Sequence, residues 1–253
     1  MSHFSQNIHF AEIGSTHAYA LKMGALLPDL ALVTADFQTD GRGRSGRAWQ
    51  APRGEAILFS MILKPRISPD QAALVTPIMS LAIAQALASS GVDPSIRWPN
   101  DVVVKGNKIA GVLAQASLDG DSLRFIVAGA GINVNQSREW LSSIDRPATS
   151  LLAETGKMHE PAMIMDTVIS EFLKLYAMFL ETGFDSIWAK WSERSSMRGR
   201  SISLDLGAKI VKGLVRGFSR DGSIIIEDDQ GELSCHRSGE VIRLEEANER
   251  RFG

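Results

Sequence analysis

The sequence is short of several things that would point to a particular biology. It has one cysteine, Cys235, in 253 residues. No intramolecular disulfide can form, which suits a reducing compartment. A lone cysteine without ligand partners reads as a small buried hydrophobe, not a nucleophile. An excess of either charge is also missing: Lys and Arg total 27 against 29 Asp and Glu, a formal net charge of −2. Bulk electrostatics therefore give no reason to wrap nucleic acid. Met1–Phe10 lacks a basic segment followed by an apolar stretch, so no secretory signal is visible. No run approaches the roughly 18 apolar residues of a membrane-spanning helix, and repeats and low-complexity tracts are absent. The expected location is the cytoplasm, with no membrane partner.

What remains is an ordinary globular composition, 44% hydrophobic and 22% charged. The length allows one large domain and one small one, and burial needs no help from metals or disulfides. The apolar runs 31–37 and 56–63 read as buried strands. The segment 70–90 has helical spacing and ends at Gly91, a plausible C-terminal cap. Strands are expected over 96–104 and 109–116, joined by the turn Lys105-Gly106-Asn107-Lys108, and again over 123–127 and 129–135. Helices are expected over 161–181 and 184–191. After the polar stretch 192–200 come short alternating runs (209–215, 223–227, 232–236, 240–244) separated by glycine turns, the pattern of a small β-barrel. A boundary is placed near residue 197.

Three segments carry candidate chemistry. Gly41–Trp49 reads GRGRSGRAW, with Arg53 shortly after. Guanidinium groups bind phosphate and carboxylate bidentately and stay charged, and interleaved glycines let a backbone approach a ligand. Trp49 offers a stacking surface. The loop fits either an anion site or a solvated basic tract with weak RNA affinity. It is neither a Walker A sequence nor a dinucleotide fingerprint, since arginines fill the variable positions and no helical pattern follows. Second, Arg97-Trp98-Pro99-Asn100-Asp101 breaks a strand, because proline cannot donate to a ladder. Its Asn and Asp suit either a self-bonded turn or a site. Lys108, leading into Ile109-Ala110-Gly111-Val112-Leu113, is either solvated or reaching inward. Third, Gly129–Asn135 (GAGINVN) suits either strand packing or a sheet floor that a ligand approaches closely.

The joint order of Ser15-Thr16, Gln38, GRGRSGRAW, RWPND, KIAGVL, GAGINVN and a C-terminal barrel resembles the biotin–protein ligase (biotin–[acetyl-CoA-carboxylase] ligase) family, over roughly Ile8 to Leu244. The resemblance implies an α+β fold. A central mixed β-sheet flanked by helices, like that of class II aminoacyl-tRNA synthetases and lipoate ligases, would span residues 1–197. An SH3-like β-barrel would span 198–253. It implies two steps: biotin and MgATP give biotinyl-5′-AMP, which then acylates one lysine of a biotin carboxyl carrier protein domain of a biotin-dependent carboxylase. ATP and Mg²⁺ are thus co-substrate and activator and biotin is a substrate, with no tightly bound cofactor and no resident metal.

By the same resemblance Ser15, Thr16, His17 and Gln38 should meet the ureido ring of biotin. Arg42, Gly43 and Arg44 should line its carboxylate and the phosphate, with Arg47 ordering the loop. Trp49, Asn100 and Asn133 should lie by the nucleotide, and Gly111 and Gly131 should admit the ligand to the sheet. Lys108 should bridge carboxylate and α-phosphate as the main catalytic cation. Asp101 is a candidate to accept the proton of the incoming lysine, to help hold Mg²⁺, or merely to cap a turn. The labile adenylate implies a glycine-rich loop that orders on binding and excludes water. Two positions depart from the family pattern: Arg97 stands where many members have lysine, and Gln115 where many have glutamate. With no helix-turn-helix pattern before Ser15, an enzyme without specific DNA binding is expected, as monomer or homodimer. The rival readings are a lipoate or octanoate ligase of the same fold and a nucleic-acid-binding module.

Overall fold

A computed structural model describes residues 4–244; the last part of the expected barrel, 245–253, lies outside the described residues. The chain runs β1 (Gln6–Phe10), α1 (Thr16–Met23), β2 (Ala31–Ala35), β3 (Ala56–Leu63), α2 (Pro69–Ala72), α3 (Val75–Ala88), β4 (Pro94–Arg97), β5 (Asp101–Val104), β6 (Asn107–Asp119) and β7 (Ser122–Asn133). It continues through α4 (Arg138–Ser142), α5 (Leu151–Thr155), α6 (Pro161–Thr182), α7 (Asp185–Glu193), β8 (Ser201–Asp205), β9 (Ile210–Phe218), β10 (Ile224–Glu227), β11 (Leu233–His236) and β12 (Glu240–Leu244). The first seven strands form one mixed sheet in the order β1-β2-β3-β7-β6-β5-β4, parallel only between β1 and β2. The last five form an antiparallel sheet, β11-β10-β9-β8-β12, consistent with a small barrel.

β3 is buried along its whole length because both sheet faces are covered. Phe59, Met61 and Leu63 pack with Ile126, Ala128 and the helices α3 and α6. Ile62 turns to the other face with Phe125, Val127 and Ala20 of α1. This alternation along two neighbouring strands is the period-2 pattern of a pleated sheet. α1 is only 8 residues long, so it covers the β7 end at Phe125 and Val127, reaches Gly129 through His17 and leaves the sheet near Gly131 to be covered by Trp49 of the Gly/Arg loop.

The expected strand over 96–104 is two strands, β4 and β5, interrupted by Trp98-Pro99-Asn100. β5 and β6 are joined at Lys105-Gly106, both at positive φ (49° and 81°), the geometry of a two-residue hairpin turn. The single helix expected over 70–90 is divided into α2 and α3. Residues 69–88 are long and apolar enough to cross a membrane, but 67% of that stretch is buried in the core of this fold. Sequence reading missed β1 and β8. It also misplaced Cys235, which is exposed, because it lies on the edge strand β11 with its side chain on the solvent face.

The polar stretch 192–200 is not free chain. Ile96 N donates to Arg194 O at 2.7 Å and Ser196 N donates to Ile96 O at 3.0 Å, tying it to the edge of β4, and Met197 is buried. One buried cluster runs from the large sheet into Ile202, Leu204, Val215, Phe218, Ile224 and Ile226 of the small one. Trp191 meets Phe218 edge-on at 4.9 Å, while the indole N–H groups of Trp98 and Trp188 donate to Gly222 O (3.0 Å) and Ser219 O (2.8 Å).

Candidate active site

A cavity of about 830 Å³ opens over the uncovered part of the sheet, between the Gly/Arg loop, the loop 143–148 and the start of β12. Its closed end is built from α1 and β3. Ser15 caps α1 in an extended conformation (φ −158°), accepting from Ala18 N at 3.3 Å. The next residue, Thr16, donates its backbone N–H to Gln38 Oε1 at 2.7 Å and its hydroxyl to the same atom at 3.0 Å. Thr16 Oγ1 also lies 3.0 Å from Ser60 Oγ. Gln38 is thereby fixed with its carbonyl satisfied and its amide N–H groups left as donors. His17 is buried beside them, its pKa pushed down by burial against the opposing effect of the Gln115 amide. The Gln115 side chain is the ring's polar neighbour, although neither imidazole nitrogen makes a hydrogen bond of full geometry among the described residues.

The middle of the cavity belongs to Lys108 and Trp49. Lys108 Nζ is 2.6 Å from Asp101 Oδ1 and 5.7 Å from the centre of the Trp49 ring. The backbone of Lys108 is clamped as well: its N–H donates to Pro147 O (3.0 Å) and its carbonyl accepts from Thr149 N (2.8 Å). Trp49 lies flat on Gly131, where any Cβ would run into the indole ring. At Gly111 a Cβ would come within 2.9 Å of Lys108 Nζ and 3.3 Å of the same indole. These two glycines are therefore required by close approach, not by backbone conformation. The Trp49 indole nitrogen is buried without a partner among the described residues. Asn133 lines the same wall, but its amide already donates to Thr149 O (2.9 Å) and accepts from Gln136 Nε2 (3.1 Å). Asn100 donates to Val112 O at 2.8 Å and presents its carbonyl to Arg44 at 3.4 Å.

At the mouth, the Gly/Arg loop is folded back on itself: Gly43 N donates to Arg47 O (2.7 Å) and Trp49 N to Gly41 O (2.8 Å), around a short turn with Ser45 at φ 55°. Arg42 faces outward and pairs with Asp40 at 2.8 Å, which raises its pKa. Arg44 reaches the small sheet, donating to Gly239 O at 3.4 Å. Arg47 pairs with Glu240, whose carboxylate also lies 3.8 Å from Arg146. Burial lowers the pKa of Arg44 despite Asp101, and lowers that of Arg47, with Arg146 and Arg44 adding repulsion. Arginine stays charged regardless, so crowded, partly desolvated guanidiniums gain from an arriving anion. Among the described residues no group of three or more His, Cys, Asp or Glu is clustered to hold a metal.

Every residue given a ligand-facing role in the sequence lines this cavity; Arg53 does not and pairs with Glu12 instead, and Gln115 sits beside His17. Arg97 is also on the wall. Its guanidinium donates to Gly106 O, its Nε is buried without a partner among the described residues, and burial lowers its pKa. Sequence reading missed Ser60, Arg146 and the small sheet's Gly239 and Glu240. Ser60 had a readable signal, as the only polar residue in the buried run AILFSMIL. The long-range pairs of Glu240 had none.

Comparison with known proteins bears on this architecture. The chain is 30% identical to the biotin–[acetyl-CoA-carboxylase] ligase of Paracoccus denitrificans over 87% of its own length and 94% of that protein's. It belongs to the biotin–protein ligase family. Residues 12–133 match the model of the Biotin/lipoate A/B protein ligase family. Those residues carry the closed end, the Gly/Arg loop and the Lys108 strand of this biotin–protein ligase family member; the loop 143–148 and the small sheet lie beyond them. The biotin protein ligase of Aquifex aeolicus, in complex with biotin and ATP, superposes with a TM-score of 0.82 at 29% identity, covering 96% of this chain and 99% of that one. The bifunctional ligase/repressor BirA of Bacillus spizizenii is 32% identical over 81% of this chain, and the match spans 63% of that relative's length.

Proposed function

We propose that this protein activates biotin with MgATP to biotinyl-5′-AMP and transfers the biotinyl group to a lysine of a biotin carboxyl carrier protein domain. The observation that carries this is the Lys108 arrangement: a cation 2.6 Å from Asp101, beside an indole laid on two glycines, between a closed polar pocket and an arginine cluster. The structural relative bound to biotin and ATP supports the same reading.

In the first step a biotin carboxylate oxygen attacks the α-phosphorus of ATP and pyrophosphate leaves. Anion approaches anion, so fixed cations must offset the repulsion and stabilise charge in the transition state. Lys108 is positioned to bridge the two reacting groups, with Asp101 orienting its ammonium. Arg42, Gly43 and Arg44 receive the carboxylate and phosphate, and Arg47 holds the loop in place. Thr16, Ser15, Gln38 and His17 receive the ureido ring at the closed end. Trp49, Asn100 and Asn133 form the nucleotide wall, where the adenine stacks on the indole. Magnesium would arrive with the nucleotide phosphates, and Asp101 would be the residue of this wall to help hold it. In the second step the carrier lysine attacks the acyl carbon and AMP leaves. A free lysine, with pKa of about 10.4, must first lose a proton, and Asp101 accepts it. Residues 1–197 form the catalytic unit in this reading, and the barrel 198–253 supplies Gly239 and Glu240 to the mouth.

The test is incubation with biotin, MgATP and a carrier domain, followed by mass measurement; one added biotinyl group is expected. ATP–pyrophosphate exchange supported by lipoate but not by biotin would overturn the reading in favour of a lipoate ligase.

A further inference from the structure

Beside Lys108 the large sheet is incomplete. β7 pairs with β6 only from Ala110 onward, and a bulge shifts the β5–β6 register at Val102 and Val103, next to Lys108. Bulges re-aim side chains near sites. The open place along β6 is filled by the loop that follows α4. There Ala148 bridges Lys108 in parallel, through the bonds to Pro147 O and from Thr149 N. So short a pairing depends on whatever holds Thr149.

Thr149 is buried and gripped from two sides. Its carbonyl accepts from Asn133 Nδ2 at 2.9 Å. Its hydroxyl donates to Glu154 Oε1 at 2.7 Å, and Glu154 Oε2 accepts from Lys105 Nζ at 2.9 Å. Lys105 stands in the β5–β6 turn, three residues before Lys108. Glu154 lies on α5, whose cap, Ser150, follows Thr149 directly. The Glu154 side chain is only 10% exposed and lies outside the cavity wall. Burial works to raise its pKa, but the Thr149 hydroxyl, Lys105 and Arg138 outweigh it and hold the carboxyl below the usual range. One carboxylate thus ties the turn before Lys108 to the loop that grips the Lys108 backbone.

We propose that Glu154 is a positioning residue for adenylation: through the Thr149 hydroxyl it fixes the clamp on the Lys108 backbone, and with it the place of the ammonium between the two reacting anions. The inference rests on the reading of Lys108 as the cation of that step. A lysine stem is flexible, so its charge is placed precisely only when both ends are held. Asp101 holds the tip at 2.6 Å, and Glu154 holds the root. Loosening the root misplaces a catalytic charge, which slows reaction more than it weakens binding. Asn133 shares the Thr149 carbonyl, so the nucleotide should feel the loss as well. Biotin at the closed end should not.

The experiment is biotin-dependent ATP–pyrophosphate exchange on the full chain. Glu154→Ala and Thr149→Val each break the hydroxyl–carboxylate bond. Both should lower kcat about tenfold, raise KM for ATP severalfold and leave KM for biotin unchanged. Thr149→Val keeps the native shape, so it tests the bond even where Glu154→Ala unfolds the loop. Glu154→Gln and Thr149→Ser keep an acceptor and a hydroxyl and should restore kcat close to wild type. Adding Thr149→Val to Lys108→Ala should slow exchange no further, because residues that act through one contact are not additive. An unchanged kcat in Thr149→Val, or the same loss with and without Lys108, would overturn the proposal and leave the biotin reading intact. So would equal rises in KM for biotin and ATP, the mark of general loosening. Absence of biotin-dependent exchange in the wild type would instead remove the biotin reading, and this inference with it.

Discussion

The closed end and the mouth of the cavity are built on opposite plans. At the closed end Thr16, Gln38 and Ser60 satisfy one another on α1 and two flanking segments, at distances of 2.7–3.0 Å, with Thr16 and Ser60 buried and Gln38 half-buried. At the mouth each guanidinium is tied to something a ligand anion can replace. Arg42 holds Asp40, Arg44 holds an amide and a carbonyl at 3.4 Å, and Arg47 and Arg146 share Glu240. A preorganised pocket recognises a rigid neutral ring with little rearrangement. A set of provisional ion pairs suits a polyphosphate that arrives, reacts and departs as pyrophosphate. On the proposed function recognition and reaction are separated along one cavity, with Lys108 where the two plans meet.

The strongest way to break this division is at Lys108. Lys108→Ala should slow adenylation, followed by ATP–pyrophosphate exchange, by about 10²–10³-fold, while biotin affinity measured calorimetrically changes little. Equal losses in both would place Lys108 in ground-state binding and dissolve the distinction. A pair of glycine variants sharpens it. Gly131→Ala should drive Trp49 off the sheet, and the overpacking, about 1–3 kcal/mol, should appear as a raised KM for ATP with biotin binding kept. Gly129→Ala should do the reverse, because its Cβ crowds Ser60 and His17. Exchanged phenotypes would mean the two ends are assigned the wrong way round.

Next in size is Arg44→Ala. It removes the link from Asn100 to Gly239 and should let the adenylate escape and hydrolyse severalfold faster, read by retention of labelled intermediate on the protein. Unchanged retention would count against a closing role for the loop. The smallest effect belongs to Glu240→Gln. Its partners are partly exposed, so stability should fall by less than about 1 kcal/mol in a thermal melt. Activity should become less sensitive to salt, since Arg47 and Arg146 lose a competing carboxylate.

Much of this was readable in the chain. β3 and β7 announce themselves as apolar runs because both sheet faces are covered, and α6 because its apolar face is long. Thr16, Gln38, Lys108, Gly111 and Gly131 were legible only jointly, by their order along the chain. Each by itself suits a cap, a solvated turn or simple packing. What stayed hidden was of two kinds. β1 (QNIHF) is an edge strand with exposed positions, so polarity masks it; β11 was read as a strand, but its place at the sheet edge misleads about Cys235. Arg146 and Glu240 meet Arg47 across loops far apart in sequence, and such pairs leave no periodic trace. Gly129 suited either strand packing or a sheet floor in the sequence, and the imidazole and hydroxyl it makes room for decide for the floor of the cavity.

The buried cluster that runs through both sheets has a consequence for how the molecule can be divided. Ile202, Leu204, Val215, Phe218, Ile224 and Ile226 share their interior with Trp191 and the helices of the large sheet. Cutting the chain after the large sheet would strip the cover from Trp191 and Met197 and leave a wide apolar face in water, an aggregation liability. The small sheet is thus inseparable from the foldable unit. Heat should melt both in one cooperative step, and a shortened chain should be lost to insolubility before its activity can be asked about.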